Sequence, residues 1–539
     1  MSHSRDSLFP NNDTLFTDRT VGEIRPFFYL SLHPTKNGIR NMANPLKQLV
    51  KDTALYGLSS IVGRFLNYLL VPLYTYRIAA ESGGYGIVTN LYGYTALLLA
   101  LLTFGMETTL FRFSNKDGEN PDKVYGTTLR LVGGVALLFL VTVLCALKPI
   151  SGLMGYSAHP EYIACMAAVV AMDAFQAIMF SRLRQQNKAV KFVLLKFAFI
   201  IPNILLNLAL FLGLPLLFGR CPVLAEIYAR FDNGVGMIFF INLMCTAMVF
   251  AGFVKELRGL GYGFDRALAR RMLSYTWPLL ILSLVGILNQ VADKILFPYL
   301  LPGEEGRVQL GIYGACVKIA MLMAILTQAF RYAYEPLVFN GSRDRNNPQT
   351  LADGMKYYLI FTLLAYLAVM FYMPLLKHLI QPAYWAGLKV VPVVMAAEIF
   401  MGVYFNLSFW YKLTDRTLWG AVMSAIGAAV MILVNVFGVR ALADSDSAYM
   451  ACAWGGFAGY GVAMIISWIL GQHYYPVKYD WKALGGYTFL AAALLAVSFL
   501  LQRLFNSDWL LMALDTILLL AFCAAVFLDL RRSLRTSRG

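Results

Sequence analysis

Charge is what this chain has little of. Only 14% of its 539 residues are charged while 59% are hydrophobic, and the mean hydropathy is +0.62. Soluble multidomain proteins carry about a quarter charged residues, so that class is excluded and a bilayer is the main solvent. Soluble catalytic motifs are missing as well: there is no GxxxxGK[ST] phosphate loop, no HExxH, and the five histidines are scattered. ATP hydrolysis by a P-loop is thereby excluded, and any movement of cargo needs an ion gradient, the substrate gradient or a partner. Of seven cysteines, Cys145, Cys165, Cys245, Cys316, Cys452 and Cys523 lie in apolar segments and only Cys221 in a loop. Their spacing fits neither a metal site nor a disulfide framework, so they read as small core residues and no cofactor is expected. The first 41 residues hold no apolar run long enough for a signal peptide. Residues 1–43 read as a disordered tail or as an upstream extension of the reading frame, since Met42 opens MANPLKQLVKDT, a natural start for a membrane protein.

What is abundant is long apolar runs. Bounded by charge or turn residues, they give about fourteen spans. Their expected limits are 54–78, 85–111, 124–147, 160–181, 190–215, 234–254, 273–300, 309–337, 355–379, 387–411, 417–439, 447–471, 483–503 and 508–529. The fifth and sixth are the least secure, because 216–233 is long and itself apolar. An even count puts both termini on one side. That side collects roughly 25 Lys and Arg against roughly 9 on the other, which makes it cytoplasmic. The net charge of +15 is therefore a topological label, and nucleic acid is not an expected partner.

The chain also resembles itself. Ser60-Ile61-Val62-Gly63 followed by Asn67 has a counterpart in Ser283-Leu284-Val285-Gly286 followed by Asn289, and the next spans open with Tyr85-Gly86 and Tyr313-Gly314. The offsets suggest parallel halves of about six spans, with substrate between them near the membrane midplane. The expected divisions are 44–254, a basic cytoplasmic connector at 255–272, 273–471, two further spans within 472–530, and a basic tail at 531–539.

Several charges lie inside the apolar runs. Arg64 stands near the middle of LYGLSSIVGRFLNYLLVPLYTYRI, sharing a helical face with Ser60 and Asn67. An arginine at that depth is costly unless it faces protein or water, so this face lines a cationic cavity. Lys196, Asn203 and Asn207 share a face of the fifth span, and Lys318 and Arg331 lie in the eighth. Arg64, Lys196, Asn67, Asn203, Lys318 and Arg331 are the expected substrate-binding residues. Glu107 and Asp173 are candidates for coupling to H+ or Na+. Structural pairing competes with these roles: Arg331 and Glu335 are four residues apart, and Asp293 and Lys294 can meet partners on neighbouring helices. A cationic cavity favours an anionic cargo, because guanidinium forks onto phosphate oxygens and ammonium supplies a point charge.

The stretches SSIVGRFLNYLLVPLYT, YGIVTNLYGYTALLLALLTFGMETTLFRF, DAFQAIMFSRLRQQNKAVKF, QVADKILFPYLLP, GIYGACVKIAMLMAILTQAFRYAYEPLVF and NLSFWYKLTDRTLWGAVMSAIGA resemble bacterial polysaccharide flippases of the MOP superfamily, the Wzx-like branch. The resemblance implies an all-α polytopic protein with two six-helix lobes packed as a V, two further C-terminal helices and a central cavity open to one side at a time. It also implies translocation of undecaprenyl-diphosphate-linked oligosaccharide across the inner membrane, with Arg64 at the position of a typical basic residue. The expected partners are the lipid-linked glycan, membrane lipids and a glycan polymerase or ligase, with the chain itself a monomer. A cation-coupled multidrug exporter of the same superfamily and a non-transporting membrane scaffold are the alternatives.

Overall fold

The computed structural model describes residues 62, 66, 68–116, 118–340, 347–414, 416–505 and 507–536. Sixteen helices carry the architecture: α1 (Leu70–Arg77), α2 (Gly84–Thr103), α3 (Met106–Ser114), α4 (Pro121–Cys145), α5 (Pro160–Gln185), α6 (Ala189–Leu208), α7 (Pro222–Arg230), α8 (Val235–Ala251), α9 (Arg266–Leu300), α10 (Glu304–Asn340), α11 (Asn347–Phe371), α12 (Val391–Leu407), α13 (Leu418–Ala441), α14 (Met450–Tyr474), α15 (Trp481–Leu504) and α16 (Asp508–Thr536). Short helical turns join them. Twelve helical stretches among the described residues are long and apolar enough to cross a membrane, or thirteen if α7 and α8 form one span. The protein is thus an all-α, multi-pass membrane protein. In a bilayer this follows from backbone chemistry, since a helix satisfies its own N–H and C=O groups where water is absent.

The first expected span, 54–78, lies largely outside the described residues, and α1 is its end. The insecure region between the fifth and sixth spans has a physical explanation. Helix α6 contains Pro202 and runs into a wider turn at Ala209–Gly213 and a tighter one at Leu214–Leu217. The apolar stretch after it is α7, which meets α8 at 90°. Asp232, Asn233 and Gly234 make that bend in the left-handed region, with φ of 49°, 51° and 95°, a conformation these three residue types tolerate best. Elsewhere the helices outrun their apolar windows because polar first turns stay helical. Helix α9 begins at Arg266 instead of 273, where the Asp265 carboxylate accepts from the Leu268 N–H, so the connector 255–272 is itself largely helical.

Helices α2, α4, α5, α6 and α8 pack together, as do α10, α11, α12, α13 and α14, while α15 and α16 lie against α11. Helix α9 belongs to both groups: its first half meets α3, where the Thr109 and Thr276 hydroxyls are 2.5 Å apart, and its second half meets α2 and α13. Helix α16 is pinned to the second group near both ends, by Lys377 to Asp508 at 3.1 Å and by Lys356 to Asp529 at 2.8 Å.

The two groups meet along α2 and α10, and the repeated Tyr-Gly pairs lie in that contact. A Cβ on Gly86 would overlap the Arg307 carbonyl oxygen, and one on Gly314 would overlap the Thr89 hydroxyl. Small residues let helix backbones approach closely where no aqueous hydrophobic effect drives association. The self-similarity of the sequence thus coincides with the crossing of its two related helices.

Candidate functional site

The loops at 79–83, 146–159, 301–303 and 372–390 gather at one end of the bundle, called here the Gly303 end. There the two groups of helices are joined by hydrogen bonds between uncharged atoms. Asn90, 2% exposed, donates to the Lys294 carbonyl at 2.7 Å and accepts from the Tyr156 hydroxyl at 2.8 Å. The Tyr94 and Tyr299 hydroxyls meet at 2.7 Å, the Tyr384 hydroxyl donates to the Ile78 carbonyl at 2.9 Å, and the Tyr76 hydroxyl donates to the His378 carbonyl at 3.0 Å. At the opposite, Arg184 end, ion pairs run within one group or the other. Glu107 meets Arg184 at 2.9 Å, Lys191 meets Glu256 and Arg271 meets Glu119, both at 2.6 Å, and Arg182 meets Asp122.

Between these ends lie the intramembrane charges. Arg64 and Asn67 fall outside the described residues. Lys196, on α6, is exposed and stands 4.2 Å from the centre of the Phe180 ring and 5.9 Å from that of Phe192. Lys318, on α10, is half-buried and follows Gly311 and Gly314 along the helical face that meets α2. Among the described residues neither ammonium meets a carboxylate within 4 Å. Asp173, on α5, likewise has no hydrogen bond or ion pair there, although its charge acts on both Lys196 and Tyr92. Lys294 packs its Cβ beside Gly93.

The remaining candidates have partners. Asn203 is buried, and its carbonyl accepts from Asn207 Nδ2 at 2.7 Å; Asn207 Oδ1 accepts from the Tyr74 hydroxyl at 3.0 Å, which ties α6 to α1. Glu107 accepts from the Ser181 hydroxyl as well as pairing with Arg184. Asp293 and Lys294 pair with each other at 2.9 Å, and Asp293 also reaches a neighbouring helix, accepting from the Tyr313 hydroxyl on α10 at 2.7 Å. Arg331 is exposed, with its guanidinium 4.4 Å from the centre of the Phe405 ring and 3.8 Å from Glu335. Asn289, the repeat counterpart of Asn67, donates to the Ser424 carbonyl at 3.1 Å and holds α9 to α13.

Three contributors escaped the sequence reading. Asn90 is a polar residue in an apolar run, a signal that was present in YGIVTNLYG. Lys412 lies at the end of a span, where a lysine reads as a topological label. Tyr156 comes from a loop whose proximity to α2 no local pattern encodes.

The family described as "Polysaccharide biosynthesis protein" matches residues 49–331, more than half of the chain. No curated protein matches. Among solved structures, the chain is similar to one titled "Lipid II flippase MurJ, inward closed conformation", with a TM-score of 0.66, 15% identity, and coverage of 88% of this chain and 99% of that one. It is also similar to an inward-facing multidrug resistance MATE family transporter of the MOP superfamily, at TM-score 0.59 and 15% identity over 76% of this chain and 93% of that one. A MATE structure in the straight conformation follows at 0.55 and 16%, covering 80% and 96%. At these identities the likeness is one of fold, and that fold is a transporter fold.

Proposed function

The chain belongs to the polysaccharide biosynthesis protein family, and from that premise we propose that it is an inner-membrane flippase for lipid-linked oligosaccharide, carrying a diphosphate head and its sugars between two groups of helices that rock against each other. The observation that carries this reading is the pair Lys196 and Lys318, two ammonium groups within apolar helices that no carboxylate among the described residues contacts within 4 Å. An intramembrane cation without a counterion is costly, and an anionic cargo would supply the missing charge. Arg64 would be a third such group and the one able to fork onto phosphate.

With both termini cytoplasmic, as the Lys and Arg bias supports, the Gly303 end is periplasmic. The hydrogen bonds joining the groups there, and the ion pairs within each group at the other end, then correspond to a state closed to the periplasm. Asp173, an intramembrane carboxylate with no hydrogen bond or ion pair among the described residues, favours a second reading, export of cationic compounds by a cation-coupled antiporter.

The test is translocation of lipid-linked glycan in reconstituted vesicles. Arg64→Ala is expected to abolish it, Arg64→Lys to retain part, and Lys196→Gln combined with Lys318→Gln to lower it by at least about tenfold while the protein still inserts. Full translocation by the double variant would mean that the lysines are structural. Efflux of cationic dyes without glycan movement would favour the second reading.

A further inference from the structure

The Arg184 end of the second helix group holds a cluster that resembles none of the other ion pairs. Glu335 has two cations about it, Arg331 Nε at 3.8 Å and Lys412 Nζ at 4.0 Å. Both distances are beyond a direct hydrogen bond, whereas Glu107, Lys191, Arg271, Lys356 and Lys377 make contacts of 2.6 to 3.1 Å. The two cations also share one aromatic face. Arg331 and Lys412 stand 4.4 and 4.8 Å from the centre of the Phe405 ring, and Lys412 is 5.1 Å from that of Phe409. Two positive groups gathered on one ring repel each other, and Glu335, the one carboxylate that pairs with them among the described residues, stands too far off to offset that repulsion fully. Close by, Arg416 lies 4.2 Å from the centre of the Tyr474 ring, which stacks on Trp410.

We infer that Arg331 and Lys412 form a diphosphate-binding station at the mouth of the second helix group, in which Glu335 is a tethered stand-in that the incoming anion displaces. The inference rests on the flippase reading only for the origin of the diphosphate, taken to be the head of the lipid-linked cargo before it reaches Lys318. Two cations one ring apart suit a diphosphate, which spreads its charge over two phosphoryl groups, whereas the Glu335 carboxylate turns one oxygen toward each cation and makes a direct hydrogen bond with neither.

The sign of the Glu335 effect separates this from a structural ion pair. Binding of inorganic pyrophosphate and of farnesyl diphosphate to the purified, detergent-solubilised full chain is measured by calorimetry, with thermal stability recorded beside it. Glu335→Gln removes the competing charge and keeps the side-chain volume, so both probes should bind about tenfold more tightly. Lys412→Gln and Arg331→Gln should each weaken binding by a similar factor. The Glu335→Gln gain should persist when Lys196 and Lys318 are also replaced by Gln, which separates the station from the deeper lysines. Unchanged or weaker pyrophosphate binding by Glu335→Gln, or by Glu335→Ala should the first variant prove unstable, overturns the inference. Tighter binding of farnesyl diphosphate than of pyrophosphate supports a lipid source, and equal binding overturns that part. Neither probe carries a sugar or needs transport, so failure here leaves the vesicle assay to judge the flippase reading.

Discussion

At the Gly303 end, Asn90 with Lys294, Tyr94 with Tyr299 and Ile78 with Tyr384 join opposite halves of the chain through uncharged donors and acceptors, while Tyr156 braces Asn90 from within the first half. At the Arg184 end, Glu107, Glu119, Asp122 and Glu256 pair with basic residues of their own neighbourhood. The difference is one of reversibility. An amide or a hydroxyl released from a protein partner exchanges it for water, so such a contact is worth only about 1 kcal/mol net and can form and break repeatedly. Ion pairs within a group stiffen that group without holding it to the other. Under the flippase reading proposed above, one end would come apart and the other would keep each part intact while it does.

The largest effect is expected where the separable end depends on having no side chain. Gly86→Leu would drive carbon atoms into the Arg307 carbonyl, so α2 and α10 could not close, and glycan translocation in vesicles should be lost with insertion unaffected. Gly134→Leu is the control, because nothing lies within 4 Å of a Cβ there. Equal behaviour of the two variants would remove the closing role of α2 and α10. Next comes Asn90→Ala, which leaves the Tyr156 hydroxyl and the Lys294 carbonyl without their buried partner. A cost of about 1 to 3 kcal/mol should shift the population towards separation by about tenfold or more. Labelling of a cysteine introduced at Thr89 by a membrane-impermeant thiol reagent reads that shift. Unchanged labelling would mean that the other hydrogen bonds hold the end without Asn90.

The helices were legible in the sequence because a bilayer imposes one solution on a long apolar run. Of the fourteen spans read off composition, twelve agree with long apolar stretches among the described residues to within about ten residues at their ends; 54–78 is described only in part, and 234–254 corresponds to α8 of the bent α7–α8 pair. The site was legible only in part. Lys196 and Lys318 stand out by charge alone, and both prove to be unpaired by carboxylates among the described residues. Asn203 and Glu107 stand out equally, yet one is buried beside Asn207 of its own helix and the other has an ion-pair partner on α5, because what a charge or an amide faces depends on a neighbouring helix that its own sequence does not specify. Glu107 allows the two roles to be told apart. Its side chain and that of Arg184 are about 40% exposed, so Glu107→Gln should cost less than about 1 kcal/mol of stability, with a deficit that shrinks in salt. If Glu107 instead carried a coupled proton, the variant would lose the pH dependence of translocation.

The smallest expected effect tests whether the charged end responds to acid while the uncharged end does not. Asp265 is half-buried, and the Leu268 N–H that it accepts from holds its carboxyl below the usual carboxylate range, helped by the charges of Arg271 and Lys123. A carboxylate whose folded pKa is depressed stabilises the fold above its unfolded pKa, near 3.9, and this contribution fades as pH falls through the folded value. Asp265→Asn keeps an oxygen at the start of α9 but carries no titrating proton. The thermal midpoint of the wild type in detergent should therefore fall slightly faster than that of the variant below about pH 4, and the two should run parallel from pH 5 to 8. Cysteine labelling at the Asn90 contact should be the same in both proteins throughout, since an amide and a peptide carbonyl exchange no proton in that range. A change in labelling with Asp265→Asn would mean that the start of α9 is coupled to the Gly303 end, and the two ends would no longer be separable devices.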